Sequence, residues 1–359
     1  DHYSRYMNCY SLSDIVKLVL LFLVVALLVY GSRQYRLYAE GAIEAEDSTE
    51  LLIYETSELD FLIDELNDKN IQFSKEGFEW ASETLGWRRF QPGRYELEGE
   101  YTFYDLFSKL GRGIQDPTRV TIIPGTDIGR LSRSLSLQLR PDSSEFASLF
   151  SDSAEVAVEH NLTGETLFAR MLPDSYDMYW TTSAENAVER LLGEFERRVA
   201  IGLSEEIDRH ELTLDEVVTL ASIVEWEARD NAEKPKISGL YQNRLERGML
   251  LQADPTVLYA LGERRRLLFA DYQFEHPYNT YLNRGLPPGP ITNPDLSSIR
   301  AVLNPEEHDY LYMVATPEGT HQFSRTFQEH RQASEKWRRW IREQYRIKRE
   351  REQEASDNS

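Results

Sequence analysis

The sequence has 359 residues, with 40 Lys and Arg against 61 Asp and Glu, giving a net charge of −21. Hydrophobic residues at 41% suit about two cored domains, and so large a carboxylate excess argues against nucleic acid or a broad anionic membrane surface as the main partner, because phosphate contacts need clustered cations. A single cysteine, Cys9, excludes an intrachain disulfide and a thiolate zinc site, and the chain opens on Asp1 rather than Met, which leaves room for residues upstream.

The first predicted element is the apolar run 15–30, IVKLVLLFLVVALLVY, interrupted only by Lys17. Leu12, Gly31 and Ser32 extend it toward the roughly 20 residues that a membrane span needs, and Lys17 can snorkel to the interface. The reading is a single-pass transmembrane anchor over 15–32, after a tail over 1–14. It is preferred to a cleaved signal peptide, because no A-x-A site follows, and to a soluble core helix, because the run has no polar face. Flanking charge leaves the orientation open, with Arg5 and Lys17 before the run and Arg33 and Arg36 after it.

Residues 33–49 read as a polar, irregular linker. LLIYE from 51 is a short strand, and a helix over 57–67 opens on a Ser57–Asp60 capping pattern. GRYELEG over 93–99 alternates like a strand, and 101–110 is a helix closed by Gly111. These make a small α+β module over 50–116. RVTIIP over 119–124 is a strand ending in a Gly125 turn. Helical periodicity follows at 143–159, 184–201, 213–229, 233–247 and 326–345, and segments 309–315 and 320–324 form a hairpin. The predicted fold class is α+β, with a larger mixed α/β domain over 117–342 and a charged, solvated tail over 343–359.

Chemistry concentrates in three blocks. On the helix from 213, Thr213 and Glu216 form a capping box, and the apolar arc runs from Val217 to Ala228. Glu225 and Glu227 fall on opposite borders of that arc. A half-buried carboxyl has a raised pKa, as a general acid needs, and edge ion pairs with Arg229 or Arg244 are the alternative; the helical wheel alone does not choose between the two glutamates. In QADPTVLYAL, over 252–261, Asp254 reads as an N-cap with Pro255 at the first helical position. Gln252, Thr256 and Tyr259 place further polar groups at that helix start. HPYNTYLNRGLPPGPITNP, over 276–294, is a stiff loop whose tyrosines and amides suit carbohydrate. No G-x-S-x-G, H-E-x-x-H, Walker or G-x-G-x-x-G motif is present, and His276, His308, His321 and His330 read as loop or surface residues.

Taken together, ASIVEWEA, YQNRLERGMLLQADPTVLYAL and PYNTYLNRGLPPGPITNP resemble the endolytic murein transglycosylase (YceG-like) family. QPGRY, VTIIPGTDIGRL and LPDSY resemble further family blocks, although FARM stands before LPDSY where the family carries a Glu-Gly pair. The resemblance implies a LysM-like subdomain over 50–116 and a YceG-like catalytic domain over 117–342. It implies Glu225 as the catalytic acid and base, with Glu227 in support. Gln252, Asp254, Thr256, Tyr278, Asn279 and Thr280 would line the saccharide groove with Glu227. It further implies cleavage of the β-1,4 bond between N-acetylmuramic acid and N-acetylglucosamine in peptidoglycan glycan strands, leaving 1,6-anhydro ends, with no cofactor or metal. The implied setting is the inner membrane, with the N-terminus cytoplasmic, the catalytic domain outside, and peptidoglycan synthases as candidate partners. The competing expectations are a non-catalytic glycan-binding scaffold and a hydrolase that uses water.

Overall fold

The computed structural model describes residues 12–357; Arg5 and Cys9, with the rest of 1–11, lie outside the described residues. The chain divides into two units, Asp1–Thr118 with Tyr179–Thr181, and Arg119–Met178 with Thr182–Ser359.

The first unit opens on helix α1, Leu12–Tyr38, whose most apolar stretch has a mean hydropathy of 2.7 and no buried residue. At 1.5 Å per residue it is about 40 Å long, enough to cross a hydrocarbon core. Its last turns dock on the unit: the Arg36 guanidinium lies over the Trp80 ring at 4.0 Å, Arg33 donates to Thr84 O, and Leu37 is buried. The expected linker over 33–49 is therefore ordered. The helix carries on to Tyr38 and strand β1, Ile43–Ile53, starts soon after, because Leu37, Ile43 and Ala45 all join the core.

β1 is the centre of a three-stranded sheet between β2, Gln72–Phe73, and β3, Gly93–Tyr101, in the order β2–β1–β3 with antiparallel pairs. Leu51, Ile53, Tyr95 and Leu97 point inward, and Glu50 and Glu96 point outward, as period-2 alternation requires. Helices α2, Leu59–Asp68, α3, Lys75–Leu85, and α4, Phe103–Arg112, close the core. Two local expectations are corrected. Ser57 does not cap α2; it pairs with Phe90 in a two-residue ribbon and donates to Glu55 O. α4 ends on Gly113 at φ +69°, two residues past Gly111, whose missing side chain makes room for the Trp87 ring.

In the second unit, β4, Thr118–Ile122, and β5, Asp174–Met178, form a two-stranded sheet over a core filled by short helices between 128 and 195. The periodic stretch 143–159 is two helices, Ser143–Ser148 and Glu155–Glu159. They are separated where the Asp152 carboxylate turns away to accept from Gly164 N. A second core surrounds α5, Leu214–Glu227, with α6, Lys234–Glu246, α7, Asp254–Leu261, and α8, Leu296–Leu303. The expected hairpin is present as β6, Tyr312–Ala315, paired antiparallel with β7, His321–Ser324. It leads into α9, Phe327–Asp357. The expected tail over 343–359 is helical as far as Asp357, with Arg346 bridging Glu343 and Glu350, and Lys348 bridging Glu352, at helical spacing.

Candidate active site

α5 is buried along most of its length, from Val217 to Val224, and its capping box forms as the sequence predicts: Thr213 Oγ1 accepts from Glu216 N, and Glu216 Oε2 accepts from Thr213 N at 2.8 Å. Its last turn carries the two glutamates. Two positions along an α-helix is a rotation of about 200°, so Glu225 and Glu227 leave the helix on nearly opposite sides. Each has found a different environment.

Glu225 enters a buried charge cluster. Its Oε2 accepts from Lys234 Nζ at 3.1 Å, Asp295 N at 3.1 Å and Ser298 Oγ at 2.6 Å. Lys234 Nζ also donates to Asp295 Oδ1 at 3.0 Å and Ser297 Oγ at 2.9 Å. Side-chain exposure is only 2% for Lys234 and 9% for Glu225, so the cluster is nearly sealed. Burial acts to raise the Asp295 pKa, but hydrogen bonds from Ser297 and Ser298 N and the Lys234 ammonium together hold it below the usual carboxylate range. Asp295 also caps α8, so the cluster fastens the end of α5 to the starts of α6 and α8. Three donors converging on one oxygen suit a hydrogen-bond acceptor.

Glu227 faces a cavity of about 460 Å³, which it lines with Gln252, Asp254 and Tyr281, and to which α9 contributes His330 and Trp337. That volume lies within the roughly 300–1,000 Å³ typical of ligand sites. The side chain is half-buried, accepting at Oε1 from Tyr241 OH at 3.0 Å. Burial first, and then the Asp254 charge, pushes its pKa up to about 7, against the pull of the Tyr241 hydrogen bond. Among the described residues neither glutamate forms an ion pair with Arg229 or Arg244. Arg244 instead spreads its fork over the carbonyls of Leu311 and Leu251, both at 2.6 Å.

The remaining predicted residues divide the same way. Asp254 is not the N-cap of α7; Ala253 holds that position, with no side-chain cap. Asp254 instead accepts from Tyr281 OH at 2.6 Å on Oδ1, and from Tyr272 OH at 3.5 Å on Oδ2, beside the cavity. Gln252 has φ +52°, a left-handed conformation unusual without glycine. It is held there by its own N–H to Thr280 O and by Ala253 N to Thr280 Oγ1. Thr256, Tyr278, Asn279 and Thr280, expected to line the groove, do not reach the cavity. Thr256 Oγ1 donates to Ala253 O and meets Thr280 Oγ1 at 2.9 Å. Asn279, wholly buried, donates to Tyr272 O and Phe274 O and accepts from Tyr281 N. Tyr278 OH donates to Glu165 at 2.7 Å, and its ring packs on Tyr259. These four brace the loop that carries Tyr281 and the segment that carries Gln252 and Asp254.

Replacing Asp254 with Asn removes one of the two influences that raise the Glu227 pKa. The expected result is a titration of Glu227 displaced below 7, visible in a carboxyl-observed NMR or pH–rate measurement. A midpoint that stays at about 7 would refute the coupling.

Among the described residues no group of three or more His, Cys, Asp or Glu is disposed to hold a metal ion. His321 is tied to Glu233 at 3.1 Å and His308 to Lys236 O at 2.8 Å. Reading the sequence missed Tyr281, Lys234 and Trp337. Only Tyr281 left a trace, inside the PYNTY string.

The sequence profile of the YceG-like family matches residues 51–336. The chain belongs to the YceG-like family. A Bacillus subtilis relative named endolytic murein transglycosylase is 29% identical over 292 residues, covering 76% of this chain and 80% of that one. A Streptococcus pneumoniae relative of the same name is 27% identical over 270 residues, covering 66% of this chain but 49% of its own length. In structure the chain is similar to a crystallised Listeria monocytogenes protein described as yceG-like, with a TM-score of 0.57, 27% identity, and coverage of 79% of this chain and 98% of that one. All three blocks that carried the resemblance, and both glutamates of this YceG-like chain, fall within the matched region.

Proposed function

We propose that this YceG-like protein is an endolytic peptidoglycan lytic transglycosylase in which Glu227, rather than Glu225, is the proton donor. The observation that carries the reading is a half-buried carboxyl with a pKa of about 7 at the wall of a 460 Å³ cavity that also holds Asp254, Gln252 and Tyr281. A carboxyl with this pKa is about half protonated at neutral pH, which suits it to give and reclaim a proton in one turnover.

Protonated Glu227 delivers its proton to the glycosidic oxygen between N-acetylmuramic acid and N-acetylglucosamine as positive charge grows on the muramyl ring. The Asp254 carboxylate, held by Tyr281, is placed in the same cavity to favour that charge. Glu227, now anionic, takes the proton of the C6 hydroxyl, whose oxygen closes on C1 to give the 1,6-anhydro ring. The nucleophile is tethered to the reacting sugar, so a single acid–base carboxyl suffices where ordinary glycosidases use a second one on water.

Helix α1 supports the further reading of a single-pass anchor. The inner-membrane setting, with the N-terminus cytoplasmic and the catalytic unit outside, where nascent glycan strands and their synthases are found, rests on the family resemblance. The LysM-like reading of 50–116 gives the first unit a role in holding the strand.

The test is the pH dependence of anhydro-product release. Because the reactive form of the free enzyme is protonated Glu227, kcat/KM is expected to fall about tenfold per pH unit above about 7. Mass spectrometry of digested sacculi separates the alternatives: reducing muramic acid would identify a hydrolase, and bound glycan without cleavage a scaffold.

A further inference from the structure

We propose that α9 supplies a sugar-binding subsite to the Glu227 cavity, with the Trp337 ring as the stacking surface for an N-acetylhexosamine unit. The inference rests on the glycan reading above and adds a specificity-determining residue to it.

Trp337 lines the cavity beside Glu227 and Asp254 and is half-buried. Behind it, Trp340 lies nearly parallel, with ring centroids 5.0 Å apart and an interplanar angle of 18°. Neither indole belongs to any of the three hydrophobic cores or to the residues packed against them. The helix around them is polar and cationic, with Arg338, Arg339 and Arg342 interleaved. Two large aromatic rings on such a helix, outside every core and only half-buried, leave part of their apolar area exposed. Pyranose rings carry a face of C–H groups that matches an indole face, and an indole already fixed by stacking on a neighbour loses little freedom when a sugar arrives.

A second observation points to a polar ligand on the same helix face. His330 precedes Trp337 by seven residues, two helical turns, and lines the same cavity. Its ring stacks on Tyr312, and its Nδ1 is buried with no hydrogen-bond partner among the described residues. A sugar hydroxyl or acetamido group, met by a turn of the ring, would satisfy that nitrogen. Helix α9 thus carries an aromatic ring and a polar atom to the same cavity.

The experiment titrates chitotetraose into the detergent-solubilised full chain carrying Glu227→Gln, by isothermal titration calorimetry. Trp337→Ala in that background is expected to weaken binding about five- to tenfold, and Trp337→Phe to keep most of it. In the active chain, Trp337→Ala is expected to raise KM for glycan strands by a similar factor, with kcat changed less than about twofold. Affinity and KM left unchanged by Trp337→Ala would overturn the subsite. So would equal losses of kcat in the Ala and Phe variants with no change in KM, since those would mark a positioning role. If the parent chain neither binds chitotetraose nor releases anhydro products, the glycan reading itself fails and the subsite with it.

Discussion

Glu227→Gln is expected to reduce the release of 1,6-anhydro-muramyl products by about 10³-fold or more, the scale of a lost general acid, while leaving the thermal midpoint unchanged or higher. The glutamine is isosteric and can still accept from Tyr241 OH, so the bond seen at 3.0 Å has a replacement acceptor. It also removes a group that burial and Asp254 disfavour in charged form, which is why stability is not expected to fall. Glu225→Gln has the opposite signature. It takes one charge out of a sealed cluster, so Lys234 keeps only Asp295 as a carboxylate partner, and the loss appears first in stability. Residual cleavage in Glu225→Gln should scale with the folded fraction. The deciding measurement is anhydro-product mass spectrometry on both variants, with melting curves in parallel. Abundant product from Glu227→Gln, together with none from folded Glu225→Gln, would return the catalytic role to Glu225.

The contrast between these glutamates shows where sequence reading ends. Periodicity correctly placed both on the borders of the buried arc of α5, and the Thr213–Glu216 box fixed the start of that helix. Nothing local says which border meets a cavity. That is decided by partners far along the chain: Asp295 and Ser298, some seventy residues on, claim Glu225, while Asp254 and the Tyr241 hydroxyl meet Glu227. The family resemblance implies Glu225, and the catalytic role proposed above falls on Glu227 instead. Asp254 shows the same limit. An Asp-Pro pair reads as a cap, but here the helix begins at Asp254 itself, with Ala253 in the cap position. Thr256, Asn279 and Thr280 were singled out as groove residues by the resemblance, but not as braces, because a hydroxyl that closes a loop and one that meets a sugar look alike in sequence. Trp337 lay outside every motif, some eighty residues beyond Asp254 and brought to it only by the way β6, β7 and α9 return to the site. Helix α3 was missed because Phe78 is the only large side chain it buries.

Lys234→Met is expected to destabilise the second unit by about 3–5 kcal/mol, the scale for removing one partner of a buried ion pair. Methionine keeps most of the methylene packing of a side chain that is 2% exposed, so the loss isolates the ammonium rather than a cavity. Without it, Glu225 Oε2 and Asp295 Oδ1 are two acidic oxygens drawn to one point with no cation between them. Asp295 loses one of the influences that keep its pKa low, so its protonation moves upward in pH. The stability deficit relative to the parent chain should accordingly narrow as pH falls through the carboxylate range. The cluster also holds the end of α5 against the N-terminus of α8, and Glu227 sits one turn-half beyond it, so activity should fall further than the folded fraction alone explains. Pairing the change with Glu225→Gln should recover a substantial part of the stability, because one of the unmatched charges goes too. Urea unfolding of the three variants measures this directly. A loss under about 1 kcal/mol for Lys234→Met, or a double variant no more stable than the single, would mean that the cluster is solvated rather than sealed, and that Glu225 is free for some other role.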